Sequence, residues 1–555
     1  MSYTKAATRN GFHYPVDDRM AGSRFVASSE GSLNHLRSFI GIRLEPMIAR
    51  TEKSASPPKL PRLVGKVPRQ TQARSPEPQK KQTGGLFFPK LQRNPGVAEP
   101  VPRDINHFLS KWTKNERKSY SCYIGSGNTD AVIAVLKQRR CWTFSQNMND
   151  PQVQFVWKQT IAGISFETYS NQQPGRARVF NHFDNHREIS QKDLLLKNMY
   201  RYCVLQGVEV FDYLPPTFEA RVDRRGAVIG QEGIKLLFEL MQRSPPGSVH
   251  LMSALEEAVA DGVIKSAEGK LKLAQLFHGQ AEVKEIPACM HEGHNLWIIK
   301  PIDCNRGNGI EILSRFTDLQ KCVQNVDDKV RSTKGVNLPV SKVLVQKYIE
   351  RPMLITERKF DIRMWVLLDS MVNLYIFPEG YLRLSSEKYT CTDSSKYIHL
   401  TNNAIQQYSK GYGEKEAGNQ LSFKDLKSYF STNQEYAKLD FEKGIMQRIL
   451  KVTKMAFASV HNKINQNRRE KLFELFGMDF MLDENAGVWL IEVNTNPCLA
   501  LSSPLLEKLI PRMLDDALKM VLDPVFPPEI QGGGSQTVYA VPGYSNSENM
   551  WIRLS

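Results

Sequence analysis

The sequence predicts an α/β (α+β) fold, and three observations predict it. The stretch YSCYIGSGNTDAVIAVLKQRRCW (120–142) reads as strand, Gly/Asn turn and helix, with Ala131, Val132, Val135 and Leu136 forming an apolar helical face. A second such unit follows: FVWKQ (155–159), a loop, then RVFNHFDNHREISQKDLLLKNMYRYC (178–203), where Ser190 with Asp193 three residues on marks a helix start. Far downstream, GMDFMLDENAGVWLIEVN (477–494) reads as a β-hairpin whose two apolar runs flank the polar turn Asp483 to Gly487. Strand and helix signals interleaved along one chain point to a sheet covered by helices.

Taken in order, residues 1–104 read as a disordered basic tail, rich in Ser, Pro, Gln, Lys and Arg from Thr51 to Pro102. Residues 1–100 hold 17 Lys and Arg against 7 Asp and Glu, a surplus of 10 within the net +16 of the 555-residue chain. The tail is either a solvated linker or an electrostatic arm for an acidic polymer. Its charge is diffuse and lacks interleaved aromatics for base stacking, so nucleic acid is not expected. No run approaches the roughly 18 apolar residues of a membrane span, so no membrane is expected. MSYTKAATRNGFHYP has no apolar signal region. The eight cysteines are scattered without a C-x-x-C, which fits a reducing compartment and argues against disulfides or zinc.

Residues 105–220 are expected to form an N-terminal α/β domain, closed by FDYLPPTF (211–218), whose proline pair excludes helix. Residues 221–294 form a central helical region, 295–528 the catalytic domain and 529–555 a loose tail. Within the catalytic region, 440–475 reads as one or two basic helices, and 496–528 as a turn and a closing amphipathic helix.

The chemistry-bearing residues sit between 295 and 500. NLWIIKPIDCNRGNGIEIL (295–313) is strand, loop and strand: Lys300 ends an apolar run, and glycines let backbone N–H groups approach phosphate oxygens. It is not a Walker A loop, since no G-K-[ST] is present and a strand follows. KVLVQKYIERPMLI (342–355) is a strand ending in Gln346, Lys347, Tyr348 and Ile349. ERKFDIRMWVLL (357–368) places Asp361 and Arg363 on one strand face. Arg383 lies in another strand, and Thr401, Asn402 and Asn403 precede a polar loop. In the hairpin, Asp479, Glu492 and Asn494 interrupt apolar strands, which is costly unless something offsets the charge. Two carboxylates and an amide oxygen would suit Mg²⁺. The alternative is polar residues at a sheet rim. Taken singly, the other stretches also have structural explanations: a turn, a strand end, a salt-bridged pair.

Taken together, KPIDCNRGNGI, VQKYIERPMLI, KFDIRMWVLL, GYLRLSSEKY, HLTNNAIQ, FGMDFMLD and WLIEVNTNP resemble, in order, the motifs of the tubulin tyrosine ligase-like family of ATP-grasp ligases. The resemblance covers about 120–525 and is strongest from 295 to 500. It implies an ATP-grasp core over 295–528 with ATP and Mg²⁺ as cofactors. Lys300 would contact the ATP phosphates under a loop holding Arg306 and Gly307. Gln346, Lys347, Tyr348 and Ile349 would form the adenine hinge, and Lys359, Asp361, Thr401 and Asn402 would complete the nucleotide site. Asp479, Glu492 and Asn494 would hold Mg²⁺. Arg383 would bind the incoming amino acid's carboxylate, with Asn403 beside it, and Arg363 would face the reacting phosphate or the acceptor.

The implied reaction is amino-acid ligation onto acidic tubulin tails through an acyl phosphate, on cytoplasmic microtubules, the cilium, flagellum or basal body; a monomer is the default expectation. HLTNNAIQ has Asn403 where glutamylases of the family commonly have Tyr, which resembles the glycylase branch; KPIDCNRGNGI departs from both branches between Pro301 and Arg306. Glutamate would need a cationic pocket, and Lys410 and Lys415 lie in the adjoining loop. Glycine and glutamate therefore stand level, with tyrosine behind. The basic tail would grip the microtubule in place of a C-terminal extension. The alternatives are an ATP-grasp ligase with a non-tubulin acceptor and a catalytically inactive microtubule-binding protein.

Overall fold

A computed structural model describes residues 119–169, 178–222, 228–276, 285–302, 307–334, 342–528 and 537–555. The expected disordered tail, residues 1–104, lies outside the described residues.

Strands β1 (Tyr120–Ile124), β2 (Trp142–Phe144), β3 (Val153–Trp157) and β4 (Val179–Phe180) form a parallel sheet in the order β2-β1-β3-β4. The crossover from β1 to β2 is the helix Asp130–Gln138. Its Ala131, Val132, Val135 and Leu136 are all buried, as their spacing on one helical face requires. Asp130 in its first turn and Lys137 in its last each oppose the partial charge of the helix end. The next long helix, Lys192–Gln206, is capped by Gln191 rather than Ser190. Ser190 Oγ instead donates back to the His186 carbonyl at 3.0 Å, so the expected start is off by one residue.

Strand β5 (Thr217–Val222) begins as soon as the proline pair has ended the preceding turn, and β6 (Val228–Ile229) follows. Three helices come next, Gln231–Arg243, Leu251–Ala260 and Ser266–Leu276, with a small ribbon of β7 (Val249–His250) and β8 (Glu285–Ile286). The chain then adds β9 (Trp297–Pro301), β10 (Glu311–Leu313) and β11 (Lys342–Lys347) to the same sheet as β5 and β6. Its order is β10-β9-β11-β5-β6, antiparallel throughout.

The third sheet holds β12 (Leu354–Ile355), β13 (Arg358–Leu368), β14 (Leu374–Ile376), β15 (Tyr381–Leu384), β16 (Gln420–Ser422), β17 (Glu474–Leu482), β18 (Val488–Thr495) and β19 (Ile552–Arg553). Its hub is β13, which pairs with β15 and β14 along one edge and with β17 along the other. Every residue of β13 is buried, as a central strand covered on both faces requires. Phe360, Ile362, Met364, Val366 and Leu368 enter the main core. The alternate residues are Lys359, Asp361 and Arg363, then Trp365 and Leu367. The last two pack into a second core closed by the helix Pro504–Val521. That helix is the expected closing element, capped by Ser503 Oγ and opened by Pro504. The expected hairpin is β17 and β18.

Three expected boundaries are corrected. The 220/221 boundary cuts β5, whose residues from Thr217 to Arg221 all pair with β11, so the second sheet joins segments read as separate domains. The described residues belong to one compact unit, so neither 220/221 nor 294/295 separates independent bodies. The segment 537–555, read as loose, is packed. Arg512 is fully buried and donates to Asp516 (2.7 Å) and to the carbonyls of Tyr539 (3.2 Å), Ser545 (2.9 Å) and Glu548 (2.6 Å). Trp551 is buried in the second core, and β19 adds to β14.

Replacing Arg512 would orphan those carbonyls and leave the buried Asp516 carboxylate with the Met550 N–H (2.9 Å) and a long contact to Lys519 (3.5 Å) in place of a guanidinium. Arg512→Met is expected to destabilise the protein by about 3–5 kcal/mol, read as a lower urea midpoint.

Candidate active site

Four buried charged side chains meet on the face of the third sheet opposite the main core, each set by strand register. Arg363 lies opposite Asp479 across β13 and β17, and Asp361 lies opposite Arg383 across β13 and β15. Arg363 Nε and Nη2 donate to Asp479 at 2.5 and 3.1 Å. Arg383 Nε and Nη2 donate to Asp361 at 2.6 and 2.8 Å, and its Nη2 reaches Asp479 at 2.9 Å. The expected alternative, a pair between Asp361 and Arg363, is not what forms; each bonds across strands. Burial alone would raise the pKa of Asp479, but Arg363 and Arg383 overcome it and hold the carboxyl well below the usual range. Thr401 Oγ1 also donates to Asp361. Gly477 makes room for this arrangement: a Cβ there would meet Pro497 Cβ at 3.0 Å and Arg363 Cδ at 3.2 Å.

A β-bulge after Asp479 sets the other half of the site. Asp479 faces Glu492 and Gly477 faces Asn494, whereas Phe480 pairs with Leu490. The extra residue lets Glu492 and Asn494 share a face with Asp479. Asn494 Nδ2 donates to Glu492 Oε1 at 3.0 Å and Asp479 Oδ2 at 3.2 Å. Two carboxylates and a side-chain amide are a hard oxygen donor set, and the bulge gathers them without an apolar residue between. They fit a Mg²⁺ ion. Both oxygens of Asp479 already accept hydrogen bonds, so Glu492, bonded among the described residues only to the amide of Asn494, is the freer carboxylate.

The second sheet brings Lys300 to the cleft, and β13 of the third sheet brings Lys359. Lys300 Nζ donates to Gln346 Oε1 at 2.7 Å, and Gln346 Nε2 donates to Thr217 Oγ1 at 2.9 Å. Burial pushes the Lys300 ammonium down to about 8 against the pull of Glu492. Lys359 donates to Tyr348 Oη (2.7 Å) and to the His399 carbonyl (2.9 Å); burial lowers it to about 7 despite Asp361. Tyr348 Oη donates to His399 Nδ1 at 2.8 Å, and His399 Nε2 donates to the Asp393 carbonyl at 2.6 Å. Burial and Lys359 push His399 down to about 4, so it is neutral and its tautomer is fixed by these partners.

Lys300, Gly307, Lys359, Asp361, Arg383, Thr401, Asn402, Asp479, Glu492 and Asn494 line one cleft between the two sheets. Gln346 lines an adjoining cavity that shares Lys300 and Glu492. Other expected site residues lie elsewhere. Lys347 is 1% exposed and turned away from the cleft, with Nζ on Glu350 (2.7 Å) and the Leu296 carbonyl (2.8 Å). The N–H groups of Lys347 and Tyr348 are taken by the Pro216 and Leu296 carbonyls, so neither is offered to a ligand. Ile349 belongs to the main core. Arg363 sits behind Asp479 rather than on the cleft wall. Asn403 accepts from Tyr412 Oη at 2.5 Å. Arg306 lies outside the described residues.

The profile of the tubulin-tyrosine ligase family matches residues 252–530, half of the chain. The chain belongs to the tubulin-tyrosine ligase family. Its two gripping sheets are the family's ATP-grasp core. It is 35% identical over 235 residues to tubulin glycylase 3D of Tetrahymena thermophila, covering 41% of this chain and 21% of that protein. It is 32% identical over 235 residues to protein monoglycylase TTLL8 of Mus musculus, covering 41% of this chain and 27% of that one. Probable alpha-tubulin polyglutamylase Ttll1 of T. thermophila is 26% identical over 390 residues, covering 69% of this chain and 81% of that protein. The chain thus spans under a third of the length of the glycylases it matches.

Sequence reasoning missed Lys192, Thr217 and His399. Lys192, at the start of its helix, lines both cavities. The helix-start signal placed it at an N-terminus, but nothing local marks that end as facing a strand more than a hundred residues away.

Because Lys300 and Lys359 sit at about 8 and about 7, a polyanion in this cleft must draw in protons to be paired. ATP titrated calorimetrically in buffers of different ionisation enthalpy should bind with proton uptake near pH 8. Its affinity should fall as pH rises from 7 to 9, because the lysines then lose their charge.

Proposed function

We propose that this chain is an ATP-dependent ligase that joins an amino acid to side-chain carboxylates on the acidic tails of tubulin. The observation that carries this reading is the meeting of Lys300, Lys359, Asp361, Arg383, Asp479, Glu492 and Asn494 in one cleft between two sheets. An inactive binding protein would have no need to keep paired buried charges beside unpaired cleft-facing ones, since such groups are costly to bury.

In this reading the triphosphate lies along Lys300 and Lys359, with Gly307 and the segment Thr401–Asn402 beside it. Asp479, Glu492 and Asn494 would hold Mg²⁺, which offsets charge on the phosphates when bound. The acceptor carboxylate attacks the γ-phosphate, releasing ADP and forming an acyl phosphate. The amine of the incoming amino acid then attacks the acyl carbon and expels phosphate. Lys300 stabilises charge on the transferring group. Arg363 becomes a positioning residue that keeps Asp479 ionised and aimed. Arg383 spends Nε and Nη2 on Asp361 and Asp479; its Nη1 bonds no described residue and would take the amino acid's carboxylate.

Glycine is the amino acid we favour. Lys410 and Lys415, the expected cationic pocket for glutamate, are exposed and line neither cavity. Several relatives carry glycylase names, which supports the same choice. Glutamate is the second reading, favoured by the polyglutamylase relative that matches the greatest share of this chain among those named above. The site of action would be microtubules of the cytoplasm, with ciliary or flagellar axonemes as candidates, and the +16 net charge suits an acidic tail. No described helix is long and apolar enough to cross a membrane.

Intact-mass analysis of microtubules incubated with the protein, Mg-ATP and a mixture of glycine, glutamate and tyrosine tests this. Glycine-sized additions are expected, and Glu492→Gln should lower their rate at least about a hundredfold. ATP consumption without any addition to tubulin would move the acceptor to another protein. The absence of both addition and ATP turnover would refute the ligase.

A further inference from the structure

Behind the Gln346–Ile349 segment, two loops bring together side chains that the ligase reaction does not use. Glu292 and His294 precede β9, and Cys391 follows β15. One carboxylate oxygen, one imidazole nitrogen and the Cys391 sulfur all lie within 4.8 Å of one another. We propose that Glu292, His294 and Cys391 form a binding site for a divalent transition-metal ion, Zn²⁺ by its ligand chemistry, bracing the back of the nucleotide cleft.

The donor set decides the ion. Thiolate with imidazole selects Zn²⁺ and its neighbours over Mg²⁺, whereas Asp479, Glu492 and Asn494 offer only hard oxygens. Zn–S near ~2.3 Å and Zn–N or Zn–O near ~2.0–2.1 Å place tetrahedral ligands roughly 3.3–3.6 Å apart. Closing from within 4.8 Å needs only side-chain rotation of about 1 Å. Solvent would complete the tetrahedron, and exposed Glu292 leaves a path of entry.

Two of the three ligand side chains have no partner among the described residues, and their backbones are fixed. The His294 imidazole and the Glu292 carboxylate make no hydrogen bond or ion pair with a described residue. Their main chains are held by the buried Glu350 carboxylate, which accepts from the N–H groups of Glu292 (2.7 Å), His294 (3.3 Å) and Leu296 (2.7 Å) and from Lys347 Nζ (2.7 Å). Cys391 Sγ lies 3.4 Å from the Glu350 carbonyl and 3.2 Å from Tyr389 Oη. On binding, the thiol loses its proton to solvent; the Tyr389 hydroxyl, which donates to the Glu350 carbonyl at 2.8 Å, can turn to donate to the resulting thiolate 3.2 Å away. An ion here would tie the loop leading into Lys300 to the turn leading into His399 and Thr401.

The test uses the full chain, stripped by a chelator and titrated with Co²⁺ as a spectroscopic stand-in for Zn²⁺. One equivalent should bind with a thiolate-to-cobalt charge-transfer band in the near ultraviolet, displaced by Zn²⁺ and not by excess Mg²⁺. Cys391→Ser should abolish the band and Cys498→Ser should keep it. His294→Ala and the exposed Glu292→Gln should each weaken affinity at least about tenfold. Matching metal-free melting curves would establish that the variants fold, and Glu292→Gln decides the matter if the others do not. No band in the unmodified chain, a band that survives Cys391→Ser, or unchanged affinity in Glu292→Gln would overturn the proposal.

Discussion

Everything in the cleft rests on the buried ladder of Arg363, Asp479, Arg383 and Asp361 across three strands. Taking four charges out of water is expensive, and only mutual pairing at 2.5–3.1 Å offsets it. The ladder is neutral in sum, so it can sit on a sheet whose other face is core. It also fixes where everything else goes. Asp479 stays ionised because two guanidinium groups touch it, and only an ionised Asp479 can gather with Glu492 and Asn494 as a cation site. Any shift of β17 by one residue would turn Asp479 into the core and Phe480 into the cleft.

Two lysines, one from each sheet, use burial rather than pairing. Lys300 and Lys359 are held by neutral partners, Gln346 and Tyr348, and their ammonium groups are weakened as a result. A cleft with a self-neutralised ladder and two under-compensated lysines, one from each sheet, is poised for an anion that arrives with its own cation. That asymmetry links fold to chemistry: Lys300 on the five-stranded sheet and Lys359 on β13 of the larger sheet supply the cations, the larger sheet supplies the carboxylates, and a ligand bridging both sheets completes the electrostatics.

Much of this was legible in the sequence, for identifiable reasons. The hairpin announced itself because Asp479 and Glu492 break apolar strands, and the helix Asp130–Gln138 because its apolar spacing has one solution. Lys347 was also legible but misread: if Gln346 faces the cleft, alternation along β11 turns Lys347 away from it. The partners in the ladder were not legible. Arg363 and Asp479 are 116 residues apart, and strand register is set by the whole sheet. The packing of 537–555 was hidden for a different reason. It depends on Arg512 and Trp551 rather than on apolar periodicity, so its composition resembles that of a loose tail.

The central claim is that Arg363, which does not line the cleft, sets the site by holding Asp479. The most direct measurement is calorimetric ATP affinity of Arg363→Lys with and without Mg²⁺. Lysine keeps the charge but cannot bond both Asp479 oxygens at once. The expected result is a loss of about tenfold in affinity with Mg²⁺, about one charge-assisted hydrogen bond, and little change without it. Equal affinity with Mg²⁺ in a folded variant, or an equal loss with and without the ion, would contradict the claim.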